Sequence, residues 1–283
     1  MDLGKITAPL LQARKQTGPR ITSLTAYDYP TARIIDAAGV DVVLVGDSLG
    51  MVVQGADSTL EVTLEDMIYH TRIVRRGTSR ALVVADLPFG SYHPSIAEGV
   101  RSAVRLVKEG RAEAVKIEGG QKRARLIRSI IESEIPVMGH IGLTPQSLHV
   151  IGGYKVQGKS RKAIQQLLDD AAALVDAGVF SIVLECIPTE VARRITRAVA
   201  APTIGIGAGP DCDGQVLVLH DMLGLAPAQH RPKFVRSYAN LEEVIDTAVR
   251  RYVEDVQQGS YPTASESYHL PVAVTGKKGL QRS

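Results

Sequence analysis

Eight apolar runs of eight or nine residues recur almost from end to end of the 283-residue chain, with amphipathic stretches lying between them. The runs are residues 21–28, 40–48, 81–89, 112–120, 135–143, 180–188, 202–209 and 215–223. Each is rich in Val, Ile and Leu with little alternation, the pattern of parallel strands covered on both faces. The intervening stretches, such as "SIAEGVRSAVRLVKEG" and "RKAIQQLLDDAAALVDAG", place apolar residues at helical spacing, and the second ends on Gly178, a helix-stopping residue. Strands alternating with helices make βαβ units. Eight of them point to a closed α/β fold, a (β/α)8 TIM barrel, and the chain length suits one such barrel. An open doubly wound sheet would carry G-x-G-x-x-G after its first strand, where this chain reads "AYDYPTARI".

The first 16 residues and residues 240–259 read as extra helices at the two ends of the barrel. Residues 1–264 therefore form one barrel domain, and the polar stretch 265–283 is expected to be a mobile tail. Two connections are long for this fold, residues 49–62 and 144–160. Both follow strands, on the side where barrels keep their chemistry, and long connections of this kind are lids or binding loops.

Composition narrows the function. Aromatic residues are 4% of the chain and Trp is absent, which leaves little for stacking on single-stranded nucleic acid. The net charge is +3 with Lys and Arg dispersed, unlike a nucleic-acid or membrane-surface protein. No apolar stretch approaches the roughly 20 residues of a membrane span. No signal peptide is evident, so Cys186 and Cys212 are expected as reduced thiols in a cytoplasmic protein.

Polar residues cluster at the strand ends: Asp47 and Ser48 after the second run, Asp86 in the third, and Lys116 and Glu118 in the fourth. His140 follows in the fifth, Glu185 in the sixth, and His220 and Asp221 in the eighth. In a barrel these positions converge on one mouth. A single strand-end carboxylate is as readily a helix cap as a ligand. Three of them, Asp47, Asp86 and Glu118, would repel one another until one took up a proton. A hard divalent cation removes that conflict, and an all-oxygen set suits Mg2+. H-E-x-x-H and C-x-x-C spacings are absent, which disfavours zinc and iron–sulfur sites. Lys116 shares a strand face with Glu118 and reads either as a counter-charge for a substrate oxygen or as a salt bridge to Glu118. Glu185 reads as a general base in an apolar setting or as a buried hydrogen-bonded glutamate. The turn "GIGAGP" (205–210) is a weak phosphate motif without Ser or Thr. Arg72, Arg75, Arg76 and Arg80 read as the solvated face and last turn of one helix.

Longer stretches carry a resemblance. "LTAYDYPTARIIDAAGVDVVLVGDSLGMVVQG", "YHTRIVRRG", "VVADLPFGSY", "AVKIEGG", "GHIGLTPQSLHVIGGYKVQGK", "GIGAGPDCDGQVLVLHDMLGL" and "PKFVRSY" together resemble the 3-methyl-2-oxobutanoate (ketopantoate) hydroxymethyltransferase family. The likeness runs from about Leu24 to Tyr238, and one departure is Glu61 where a proline is expected. The resemblance implies a barrel of the phosphoenolpyruvate/pyruvate type and a homodecamer. It also implies transfer of a one-carbon unit from 5,10-methylenetetrahydrofolate to 3-methyl-2-oxobutanoate, giving 2-dehydropantoate on the route to pantothenate and coenzyme A. By matching motifs it implies Asp47, Asp86 and Glu118 as Mg2+ positions. Asp47, Ser48, Asp86 and Lys116 match oxoacid contacts, and Glu185 matches the proton acceptor, with His140 as a further polar site residue. The alternatives are another Mg2+-dependent 2-oxoacid C–C lyase or mutase, a phosphosugar isomerase, or a non-enzymatic barrel binding protein. Such lyases carry a K-K-C-G-H stretch that is absent here.

Overall fold

Period-two alternation, invisible in the apolar runs as read, emerges once the strands are placed. The computed structural model describes residues 4–225 and 232–270. Eight strands fall on the expected runs, the last starting one residue ahead of its run: β1 (Ile21–Thr25), β2 (Val42–Val45), β3 (Leu82–Asp86), β4 (Ala114–Glu118), β5 (Val137–Gly142), β6 (Ser181–Glu185), β7 (Thr203–Ile206) and β8 (Gly214–Leu217). They close into a barrel in chain order, every pair parallel, with β8 returning to β1.

Along each strand one set of side chains points outward and the next inward. The outward set, including Val43, Val45, Val83, Ala85, Val115 and Ile117, packs under the helices. The inward set, including Val42, Leu44, Leu82, Val84, Ala114 and Met138, fills the lumen as a separate cluster. Both sets are apolar, which is why the runs look continuous. The inward row ends in polar residues at the C-terminal mouth: Asp86 follows Leu82 and Val84, Lys116 and Glu118 follow Ala114, and His140 follows Met138. The opposite end is closed by the N-terminal segment, whose Ile6, Ala8 and Leu11 join the lumen cluster.

The helices are α1 (Ala8–Thr17), α2 (Tyr29–Ala37), α3 (Leu49–Val52), α4 (Leu64–Gly77), α5 (Ile96–Lys108), α6 (Ala124–Glu132), α7 (Leu148–Ile151), α8 (Arg161–Ala177), α9 (Thr189–Ala198), α10 (Leu219–Leu223) and α11 (Leu241–Gln258). Helix α8 starts where the Ser160 side chain accepts a hydrogen bond from Ala163 N and stops at Gly178, as the spacing predicts. Both expected terminal helices form, as α1 and α11. The long connections hold only single turns of helix, α3 in one and α7 after a 3-10 turn at Pro145–Ser147 in the other.

Two expectations change. The eighth run is a strand only to Leu217: Leu219 N donates to the Thr25 hydroxyl at 3.0 Å instead of continuing the ladder, and α10 follows, so His220 and Asp221 lie on a helix. Arg80 is no solvated helix residue. Its guanidinium donates to the carbonyls of Gly39 and Val40 at 3.0 Å each and to Asp41 at 3.1 Å, clamping the barrel base. The 205–210 turn runs directly into β8 with no helix behind it, and its Gly207 and Gly209 lie where a side chain would strike Phe234 and Thr189. Of the expected tail, residues 265–270 are exposed and follow a cis Tyr261–Pro262 bond, the first two completing a 3-10 turn at Ala264–Glu266. Residues 271–283 lie outside the described residues.

Candidate active site

Strand register brings the polar strand ends into contact. Asp86 stands beside Lys116 across β3 and β4, and Glu118 beside His140 across β4 and β5. Asp47, just past β2, donates its main-chain N–H to Asp86 Oδ2 at 3.1 Å. Asp86 Oδ1 faces the Lys116 ammonium at 3.1 Å. That ammonium also meets His140 Nδ1 at 3.2 Å. The ring's other nitrogen, Nε2, lies 3.2 Å from Glu185 Oε2. Asp47, Asp86, Lys116, Glu118 and His140 are each no more than 5% exposed.

Lysine can only donate, so His140 Nδ1 accepts and the ring proton is assigned to Nε2. Burial, reinforced by Lys116, pushes the His140 pKa down, which keeps the ring neutral. Burial opposes the charge on Lys116, but Asp86, Glu118 and Asp47 outweigh it and raise its pKa above the usual lysine value. Asp47 is pushed up to about 7 by burial and by Asp86, and Glu118 is raised well above the carboxylate range, chiefly by burial. One buried ammonium does not balance three buried carboxylates.

Two readings of side chains are corrected here. Lys116 pairs with Asp86 rather than with Glu118. Glu185 has an imidazole as its neighbour, not an apolar wall, because the inward position of β5 carries His140. The backbone around Glu185 is tightly pinned. Its carbonyl accepts from Leu143 N at 2.8 Å, and a side chain at Gly142 (φ +99°) would lie 2.2 Å from that oxygen. Cys186, next in sequence, takes the left-handed conformation with φ +47°, uncommon for a side-chain-bearing residue. Its thiol is pushed up to about 11, mainly by burial, so it is a poor nucleophile.

Gln146, in the 3-10 turn after β5, was not among the expected residues. Its main-chain N–H donates to Glu118 Oε2 at 3.0 Å and its side-chain amide to Asp47 Oδ2 at 2.8 Å. Tyr27 is a second addition, buried with its hydroxyl 2.8 Å from Ser48 Oγ. The one signal for Gln146 was its position in a long strand-to-helix connection.

Among the described residues, no three His, Cys, Asp or Glu side chains form a ready-made metal cage. Asp47 and Asp86 adjoin directly, while Gln146 stands between Asp47 and Glu118. The donor set nevertheless fits a hard cation: the ligand atoms are carboxylate oxygens, and a divalent ion with Lys116 would neutralise all three. These residues floor a cavity of about 720 Å³. Its walls include Met51, Tyr154, Lys155, Phe234, His220 and Asp221. The two long connections meet over it, where the Tyr154 hydroxyl contacts Met51 Sδ at 3.5 Å.

Comparison with known proteins follows the same lines. The family model described as Ketopantoate hydroxymethyltransferase matches residues 5–264. A 3-methyl-2-oxobutanoate hydroxymethyltransferase of Moorella thermoacetica is 56% identical over 264 residues, 93% of this chain and 98% of the relative. One of Koribacter versatilis is 57% identical, covering 94% of this chain and 90% of the relative. Among solved structures, a 2,3-dimethylmalate lyase of the PEP mutase/isocitrate lyase superfamily shares the fold with a TM-score of 0.59 at 18% identity, over 93% of this chain and 89% of that one.

Proposed function

The chain belongs to the ketopantoate hydroxymethyltransferase family, and on that premise we propose how its residues carry out transfer of a hydroxymethyl group to 3-methyl-2-oxobutanoate. The donor in this reading is 5,10-methylenetetrahydrofolate, and the product is 2-dehydropantoate, on the route to pantothenate and coenzyme A. Asp47, Asp86 and Glu118 would hold the cation, Asp47 and Glu118 each with one oxygen already bonded to Gln146. Mg2+ is the cation proposed, and when bound it supplies Lewis-acid polarisation of the oxoacid's keto and carboxylate oxygens.

The chain's own groups do the rest. Asp47, Ser48, Asp86 and Lys116 position the oxoacid. Glu185 takes the proton from C3, within reach of the floor and opposite the carboxylates. His140 adjoins it: the ring's Nε2 lies 3.2 Å from Glu185 Oε2 and sets a positive ring edge beside the carboxylate. Negative charge developing on the keto oxygen is met by the Lys116 ammonium, whose pairing with Asp86 keeps it charged. The carbanionic C3 then attacks the folate's one-carbon unit, for which the rest of the cavity leaves room, and water displaces the folate nitrogen from that carbon, supplying the hydroxyl and releasing tetrahydrofolate. The observation that carries this reading is the contact chain Asp86–Lys116–His140–Glu185 on the floor of one buried mouth.

The reading includes a homo-oligomer, a decamer by family likeness. Its support is that α11 buries none of its residues while Val244, Ile245, Val249, Tyr252, Val253 and Val256 all lie exposed. It also includes a cytoplasmic location; no helix among the described residues is long and apolar enough to cross a membrane. Incubation with Mg2+, 3-methyl-2-oxobutanoate and methylenetetrahydrofolate tests the activity by the appearance of 2-dehydropantoate. Absence of that product, with folded protein and all three components present, would refute it.

A further inference from the structure

Gln146 is 5% exposed, and its main-chain N–H, Nε2 and Oε1 together engage four different residues. Its side-chain orientation follows from its partners. Nε2 lies 2.9 Å from the Leu87 carbonyl oxygen, which can only accept, so the amide NH2 must face that side. The same NH2 therefore donates to Asp47 Oδ2 at 2.8 Å. Oε1 is left facing the Tyr92 hydroxyl at 2.7 Å, and the phenol must donate. Tyr92 is itself 2% exposed, with the Arg123 guanidinium 5.0 Å over its ring. A flipped amide would set NH2 against the phenol and oxygen against both a carbonyl and a carboxylate, so one orientation survives.

The main chain of the same residue does a second task. Pro145 opens the 3-10 turn, and the Gln146 N–H, free of any helical partner there, reaches Glu118 Oε2 at 3.0 Å. A single residue thus spans two of the three carboxylates at the mouth, holding one oxygen of each. The other oxygens, Asp47 Oδ1 and Glu118 Oε1, are left for other partners. We propose that Gln146, locked by Tyr92 and the Leu87 carbonyl, is a positioning residue that presents Asp47 and Glu118 to the divalent cation. This rests on the metal reading above. Groups that orient metal ligands from behind contribute about 10- to 100-fold to metal affinity.

The test is Mn2+ binding to the purified full-length protein without substrates, by calorimetry and by the electron paramagnetic resonance signal of free Mn2+. Q146L keeps the main-chain bond to Glu118 and loses the three side-chain bonds. Y92F removes the donor to Oε1 and leaves the amide held only through its NH2. Q146L is expected to weaken Mn2+ binding by about 10- to 100-fold, the usual scale for such partners. Y92F should shift it less, in the same direction. In turnover assays the metal concentration for half-maximal rate should rise in parallel, with kcat regained at saturating metal. A purely structural role would lower the melting temperature and leave Mn2+ affinity of the folded fraction unchanged. Should Q146L fail to fold, Y92F decides. Parent-like affinity in folded variants overturns the proposal alone, whereas a parent protein that binds no Mn2+ overturns the metal reading and the proposal with it.

Discussion

Replacing Glu185 by Gln isolates the proton-transfer step. Glutamine keeps the length and planar end of the side chain, and its carbonyl oxygen can still face His140 Nε2, now 3.2 Å from a carboxylate oxygen. The backbone pinned by Gly142 and Leu143 is untouched. Oxoacid and metal binding should survive, because Asp47, Ser48, Asp86 and Lys116 are intact and the Lys116–Asp86 pair does not pass through Glu185. What disappears is the only anionic acceptor proposed for the C3 proton. General bases contribute about 10²- to 10⁴-fold, or roughly 3–5 kcal/mol of barrier at 1.36 kcal/mol per factor of ten. His140 cannot take over: Nδ1 is engaged by the Lys116 ammonium and Nε2 already carries the proton. The assay is exchange of the C3 hydrogen in deuterated water, followed by NMR with metal and oxoacid present and folate left out. Loss of exchange with retained oxoacid binding is expected. Exchange at the parent rate would mean that another group removes the proton and would refute the role of Glu185.

Chelation of the divalent cation should abolish turnover and lower thermal stability; at a free Mg2+ concentration of 100 times Kd the bound ion contributes about 2.7 kcal/mol. A melting temperature indifferent to Mg2+ and chelator would count against the three-carboxylate site. Asp36, far from the mouth, accepts from Ala81 N at 2.7 Å, Ser79 N and Oγ at 2.9 Å each and Arg80 N at 3.1 Å. Burial opposes its charge, but these bonds outweigh it and hold its pKa below the usual value. Its folded-state pKa is depressed, so its stabilisation is full above the unfolded value of about 3.9 and is lost as pH falls through the folded one. Asp36→Asn should therefore cost on the order of 2–4 kcal/mol at neutral pH in urea unfolding, with the gap narrowing below about pH 4; a gap constant down to pH 3 would contradict this. Val249→Glu with Val253→Glu on α11 should break the oligomer in sedimentation, and an unchanged sedimentation coefficient would show that this face is not an interface.

The amino-acid sequence alone determined the barrel and most of the floor of its site. Eight apolar runs can be satisfied by a closed parallel sheet, and in such a sheet the last inward residue of each strand must face the mouth, so Asp86, Lys116, Glu118, His140 and Glu185 were legible as one group. What lay beyond reach depended on contacts between distant segments. Lys116 has Glu118 two residues away in sequence, yet β3 sits at hydrogen-bonding distance across the ladder and supplies Asp86 instead. Glu185 sits in a local sequence of apolar neighbours, and only the packing of β5 against β6 places His140 beside it. The end of β8 was overrun because an apolar run cannot show where the Thr25 hydroxyl will take over a ladder partner. Gln146 was missed because an uncharged loop residue carries no titratable signature. Its role arises only when residues 87, 92, 118 and 47, far apart along the chain, are folded around it, since a hydrogen-bond network is a property of positions in space and not of spacing along the backbone.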